Sequence, residues 1–168
     1  MCGTEIVFYP EKILRQKAID VKDFADETVQ NTIARLWQIM DTHGHCVGLA
    51  ANQIGSNLNI FVADASKNLK CKSKYGRVVL INPKLESTEG LEKLREGCMS
   101  VPDFTGDVTR AVCVEISGVN QDGQAVTLQA CDFEARVFQH EIDHLSGKVF
   151  LDRVASSREV HTRKNYRK

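Results

Sequence analysis

Apolar residues recur along this chain in two distinct rhythms, and each rhythm predicts an element. Val29, Ile33, Leu36 and Met40 fall at steps of four, three and four, the stripe of an amphipathic helix. Asp26 is placed to cap its start and Gly44 to stop it near His43. A second helix is predicted from a cap at Asp132 to Ser146, with Gly147 as its stop. On it Phe133, Val137, His140 and His144 share one face, while Phe138, Ile142 and Leu145 form a neighbouring core stripe. The two-residue rhythm marks strands. One runs from Leu58 to Val62 and ends at Asp64; a second runs from Arg77 to Ile81 and is closed by Asn82-Pro83. Val112 to Ile116 and Ala125 to Leu128 alternate around Gln121-Asp122-Gly123-Gln124, whose Asp-Gly pair signals a hairpin.

Between these elements lie segments of other character. Ile6-Val7-Phe8-Tyr9 predicts an edge strand or extended arm, and Pro10 opens a helical turn through Glu11 to Arg15. Cys46 to Gly55 is built of small residues where no surface pattern demands them, so a backbone or a ligand can approach closely. Ala65 to Gly76, with Lys67, Lys70, Lys72 and Lys74, reads as a solvated loop. Strands first and a helix buried against them afterwards give an α+β class. No repeat or linker divides the chain, so residues 1–168 are expected to form a single domain.

Composition narrows the field. Hydrophobic residues at 42% and charged residues at 26% are ordinary for a globular protein, and no apolar run is long enough to span a membrane. Basic and acidic residues balance at 22 each, which argues against sequence-specific nucleic-acid binding as the main task. The balance is local, however: residues 153–168 carry six cations against Glu159 alone, a basic C-terminal tail of net +5. Its solvated state or its docking on ribosomal phosphates are the two readings of that charge. Six cysteines without a secretory signal predict reduced thiols and a cytoplasmic location.

The chemistry concentrates in Gln139-His140-Glu141-Ile142-Asp143-His144, an HExxH pattern. Histidines four apart on a helix reach one metal ion, and the glutamate after the first can touch its water without ligating. Catalysis then needs one further protein ligand and an open corner. The extended pattern with a third histidine fails, because Phe150 stands at its last position, and Glu159 lies in the basic tail. His43, His45, Cys46 and Cys98 remain, with Cys98 favoured for its thiolate and its turn-like Glu-Gly-Cys setting.

Three segments together resemble one family. Cys46-Val47-Gly48-Leu49-Ala50-Ala51-Asn52-Gln53, Glu96-Gly97-Cys98-Met99-Ser100 and His140-Glu141-Ile142-Asp143-His144 are similar to the GxGLAAxQ, EGCxS and HExDH motifs of the peptide deformylases, in the same order. The likeness extends over residues 6–151 and leaves 152–168 outside. It implies antiparallel β-sheets wrapped around a central C-terminal helix. It implies Cys98, His140 and His144 as ligands of one divalent metal, ferrous iron in cells, with zinc, nickel or cobalt able to replace it. Glu141 is implied as general base and acid, and Gln53 with the backbone N–H of Met99 as oxyanion donors. Cys46, Val47, Gly48, Phe133 and Val137 would bind substrate. The implied reaction removes the N-formyl group from the initiator methionine of nascent polypeptides and releases formate. Two departures stand out: Cys46 replaces a usual glycine, raising a Cys46–Cys98 bridge as a hypothesis. Asp103-Phe104-Thr105-Gly106 replaces a stretch that often carries a substrate-side arginine. Another small metallopeptidase or amidase, which would cleave unformylated peptides, and a non-catalytic metal-stabilised binding protein are the alternatives.

Overall fold

Helix α1 forms where its stripe predicts it, over Glu27–Thr42. The Asp26 carboxylate accepts from the Thr28 backbone N–H at 2.7 Å, and Val29, Ile33, Leu36 and Met40 are all buried. A computed structural model describes residues 6–68, 71 and 74–163. The strands form two antiparallel sheets, the first of which packs against α1. The first contains β1 (Gly48–Ala50), β2 (Ile60–Asp64), β3 (Arg77–Glu89), β6 (Cys113–Val119) and β7 (Ala125–Cys131), in the order β1-β2-β3-β6-β7. The second contains β4 (Glu92–Cys98), β5 (Val101–Arg110) and β8 (Val160–Thr162), in the order β4-β5-β8.

The period-two alternation of β2 divides the core. Ile60 and Val62 point to the α1 side, where they join Leu36, Met40 and Leu49. Phe61 and Ala63 point the other way, to helix α2 (Asp132–Leu145), and meet Ala135, Phe138 and Leu145. The Phe61 and Phe138 rings tilt against one another at 5.9 Å between centroids. A strand covered on both faces carries apolar residues at successive positions, as this one does from Ile60 to Ala63. Helix α2 therefore runs through the middle of the molecule, and its outer side faces the second sheet.

Several elements differ from the sequence expectation, each for a visible reason. Strand β3 does not stop at Asn82-Pro83 but continues to Glu89, past a register shift between Ile81 and Lys84. Asn82 takes a left-handed φ of 52° and exchanges two 2.8 Å hydrogen bonds with the Val21 backbone, so the irregularity is absorbed locally. Strands β4 and β5 were not foreseen as a sheet, because β4 is mostly exposed and shows little apolar alternation. Asp132 is not a cap: it is the first helical residue, at φ 55°, and makes no capping bond, since β7 pairs right up to Cys131 and the chain must turn within one residue. Gly147, at φ 74°, ends α2 as predicted, with the Lys148 N–H bonded to the Asp143 carbonyl at 2.9 Å.

Two further corrections concern the cysteines and the C-terminus. Cys113 and Cys131 face each other across β6 and β7 and are joined as a disulfide, so the expectation of reduced thiols throughout fails for that pair. Cys46, Cys71 and Cys98 are free, so the Cys46–Cys98 bridge is not formed, while Cys2 lies outside the described residues. Residues 153–163 are not a frayed tail, because β8 pairs with Phe104–Gly106 of β5 and the Arg163 N–H reaches the Asp103 carbonyl at 2.8 Å. Lys164, Arg167 and Lys168 of the basic segment lie outside the described residues, as do Lys70 and Lys72. Among the described residues no helix is long and apolar enough to cross a membrane.

Charge rather than apolar packing ties the second sheet to α2. Arg110, at the end of β5, forks onto Glu96 of β4 at 2.9 and 3.0 Å and reaches Asp143 of α2 at 2.5 Å. Arg136 of α2 adds a 2.8 Å bond to Glu96, and Arg153 holds the other side of Asp143 at 2.5 and 2.9 Å. Burial pushes the Asp143 carboxyl up, but Arg153 and Arg110 outweigh it and hold it below its usual range. Arg110→Met is expected to lower stability by about 1.5–3 kcal/mol at pH 7, because it removes the cation shared by two buried carboxylates and leaves Glu96 to Arg136 and Asp143 to Arg153. Glu96 and Asp143 are both held below their unfolded values, so their contribution is complete above about pH 4.5 and lost as pH falls. Urea denaturation of wild type and variant should therefore differ most near neutrality and converge at acid pH.

Candidate metal centre

The i, i+4 spacing sets the His140 and His144 rings side by side, 4.9 Å between centroids and nearly perpendicular. Each ring is held differently. His140 Nδ1 lies 3.0 Å from Glu96 Oε2, which leaves its Nε2 for a ligand. The His144 backbone is pinned through its carbonyl, which accepts from Asn52 Nδ2 at 2.5 Å, and its Nε2 lies 3.1 Å from Cys98 Sγ. Cys98 arrives on the end of β4, where the register shifts between Gly97 and Cys98 and turns the thiol inward. Ligand atoms of Cys98, His140 and His144 all lie within 4.8 Å of one another.

This donor set fits a divalent cation. One sulfur and two imidazole nitrogens suit zinc or a first-row transition ion and leave a fourth position open to water or substrate. Burial pushes the Cys98 thiol up, yet the neighbouring imidazoles overcome it and hold the thiol well below its ordinary value, the state in which sulfur ligates. Glu141 Oε2 is buried without a hydrogen-bond partner among the described residues, in the electrostatic reach of Cys98, His140 and His144, so an unsatisfied acceptor stands beside the donor cluster. His45 only lines the rim of the cavity, and His43, at the end of α1, does not line it.

Glu141 and Gln53 approach the same point from opposite sides. The Glu141 carboxyl is buried, and desolvation pushes it up to about 7. It fits only because residue 48 is glycine: a methyl there would meet Glu141 Oε1 at 2.4 Å and Val137 Cγ1 at 2.9 Å. Gln53 sits in a short 3-10 turn, Ala51–Ile54, and its Oε1 accepts from the Ala50 N–H at 2.9 Å. That bond orients the amide, so Nε2 points inward, 3.1 Å from Ser100 Oγ and 3.4 Å from Cys98 Sγ.

A cavity of about 220 Å³ opens beside these groups. Its lining includes Cys46, Val47, Gly48, Met99, Phe133 and Val137 beside Gln53, Cys98, His140 and Glu141, with His144 against Cys98 and His43 apart from it. The Cys46 thiol donates to the Gly48 carbonyl at 3.1 Å, and burial pushes it up to about 12, which disfavours the thiolate. Sequence reasoning missed the residues around the ligands. Glu96 was noted only as part of a motif, yet it orients His140, and Arg110, Arg136 and Asp143 complete its ionic surroundings. Asp143 was legible in principle, since it lies three residues after His140 inside the helical motif. Arg110 carried no local signal at all. Gln139 was likewise unremarked. It brackets Ala111 with bonds of 3.0 and 2.9 Å, fixing α2 against the turn after β5.

Comparisons with known proteins agree with this geometry. The family model described as polypeptide deformylase matches residues 4–160, which carries the likeness beyond the limit at residue 151 drawn from the motifs. Peptide deformylase of Desulforudis audaxviator is 43% identical over 158 residues, covering 93% of this chain and 96% of that protein. That of Syntrophobacter fumaroxidans is 38% identical and covers 98% and 94%. Among solved structures, a peptide deformylase from Legionella pneumophila superimposes with a TM-score of 0.82 at 34% identity, covering 92% of this chain and 87% of that one. The Synechococcus elongatus enzyme in complex with actinonin also gives 0.82, at 36% identity, covering 95% and 82%. With near full-length identity of this order, a shared α+β architecture and the three motifs meeting in one cavity, the chain belongs to the peptide deformylase family.

Proposed function

We propose that this chain removes the N-formyl group from the initiator methionine of nascent polypeptides in the cytoplasm, with Cys98, His140 and His144 holding one divalent cation, ferrous iron in the cell. The observation that carries the reading is the meeting of a three-donor cluster, a buried carboxyl and an inward-pointing amide on one cavity. When bound, such a cation polarises a carbonyl oxygen and makes hydroxide available at neutral pH. Zinc, nickel and cobalt suit the same donors.

The chain's own residues account for the rest. Glu141, raised toward neutrality by burial, is matched to take a proton from the attacking water and return it to the leaving nitrogen. Water oxygen bonds to the formyl carbon, the carbon–nitrogen bond breaks, the amine takes the proton and formate departs. Gln53 Nε2 and the Met99 N–H donate to the oxygen that becomes negative, and one such donor supplies about 3–4 kcal/mol. Ala50 holds the Gln53 amide in the donating orientation. Glu96 does the same for His140, keeping the proton on Nδ1 and the lone pair of Nε2 free. Val47, Phe133 and Val137 form the apolar wall for the methionine side chain, worth about 2–3 kcal/mol of binding. Strand β1 is an edge of its sheet, so a peptide can add alongside residues 46–48 by backbone pairing. Docking of the basic C-terminal segment on ribosomal RNA belongs to the same reading, with exposed Arg158 and the cations of residues 164–168 as the contacts.

Formate release from a formyl-Met tripeptide, with ferrous iron added under exclusion of air, is the direct test. Glu141→Gln is expected to lower kcat by about 10²–10⁴ while retaining stoichiometric metal. Cleavage of the unformylated peptide instead would overturn the assignment. Gly48→Ala is expected to cost at least about tenfold in kcat, since its methyl would displace the Glu141 carboxyl. Removal of residues 164–168 is expected to reduce ribosome co-sedimentation at low salt; unchanged co-sedimentation refutes docking.

A further inference from the structure

The backbone polar groups of β1 divide between its two sides. The Asp64 N–H reaches the Val47 carbonyl at 2.8 Å, and Gly48, Leu49 and Ala50 stand opposite Ala63, Val62 and Phe61. Residues that bond to the partner strand alternate in an antiparallel ladder, so Val47 and Leu49 turn their N–H and C=O toward β2. Gly48 turns both of its groups the other way, to the edge that β1 forms among the described residues. Ala50 keeps the same phase, since its N–H bonds to Gln53 Oε1 at 2.9 Å rather than to β2. The edge at Gly48 borders the cavity that also holds Cys98, Gln53 and Glu141.

The Gly48 carbonyl on that edge has a donor within the chain. The buried Cys46 thiol reaches it at 3.1 Å from two residues upstream. Burial, aided by the Glu141 carboxyl, keeps this thiol protonated, so it retains the hydrogen that it donates. An S–H is nevertheless a weak donor, weaker than a peptide N–H. A peptide lying along β1 as an added strand pairs its own N–H with an outward carbonyl of that edge. Gly48 offers such a carbonyl, and the thiol has to leave it first. A glycine at position 46, usual in the GxGLAAxQ motif, would place no donor there.

We propose that Cys46 sets the strength of peptide binding at β1: its thiol stands in for a peptide N–H at the Gly48 carbonyl and is displaced when substrate binds. This rests on the deformylase reading above. Exchanging one hydrogen bond for another leaves the peptide a smaller net gain than a carbonyl without an internal donor would give. The departure from the family motif therefore has a direct effect on substrate affinity.

Formate release from formyl-Met-Ala-Ser by the full-length iron-loaded protein gives the first test. Cys46→Ala removes the donor and is expected to lower KM about threefold at unchanged kcat. Cys46→Ser, a stronger donor on a smaller side chain, is expected to raise KM about threefold. The opposite signs separate competition from bulk, because both substitutions shrink the side chain and a merely steric role lowers KM in both. The second test is the infrared S–H stretch of wild type, assigned to Cys46 by its loss in Cys46→Ala. On saturation with Met-Ala-Ser this band is expected to move to higher frequency as the thiol gives up its acceptor. A KM in Cys46→Ser at or below that of wild type, a KM in Cys46→Ala at or above it, or an unmoved band overturns the proposal. Absence of formate release by wild type would instead refute the deformylase reading itself.

Discussion

The buried carboxylate of Glu96 is the contact on which the centre depends. It accepts from Arg110 of β5, from Arg136 of α2 and, at 3.0 Å, faces Nδ1 of His140. One residue thus ties two strands of the second sheet to the helix that carries the two histidines, and it lies two positions before Cys98 on the same strand. Burial pushes its carboxyl up, and the hydrogen bonds and charges of His140 and Arg110 overcome that, keeping it ionised well below the usual range. An ionised, fully bonded Glu96 is rigid, and rigidity here fixes ring orientation at the cation. Asp143, on α2, is held in the same ionic network between Arg110 and Arg153.

The second constraint is space. Gly48 is in β1 and Gly97 is in β4, both line the cavity, and each leaves room for a side chain from elsewhere. Beside Gly48 the occupant is the Glu141 carboxyl; beside Gly97 it is the Arg163 guanidinium. The small-residue run from Cys46 to Gly55 looks, along the chain, like a weak segment for a core. In the fold it is the thin wall that lets a carboxyl, an amide and a short strand edge converge on one cavity.

Much of the site was legible because it is local. His140, Glu141 and His144 follow from helical geometry alone, and Gly147 marks where that helix ends. The α1 stripe and the β6–β7 hairpin could be read for the same reason, since each is specified by residues within one turn or one loop. Cys98 as the third ligand could not be separated from His45 or Cys46 by spacing. Thiolate chemistry and a turn-like setting favoured it only modestly, the motifs' resemblance to a family decided the ranking, and only the fold set its sulfur against His144. Strand β4 escaped notice because an exposed strand shows little of the alternation that burial imprints. The disulfide between Cys113 and Cys131 depends on cross-strand register, which composition does not encode.

What the sequence determined by itself was the α+β class, the two helices with their apolar faces, and a helical metal-binding pair with a carboxyl beside it. These are short-range consequences of periodicity and side-chain chemistry. Tertiary structure decided which distant sulfur completes the donor set, which arginines neutralise Glu96 and Asp143, and where the C-terminal residues go. Those are meetings of segments tens of residues apart, governed by strand register and by the cost of burying charge unpaired. No local pattern carries that information, because a carboxylate such as Glu96 looks the same in a chain whether it will face water or His140.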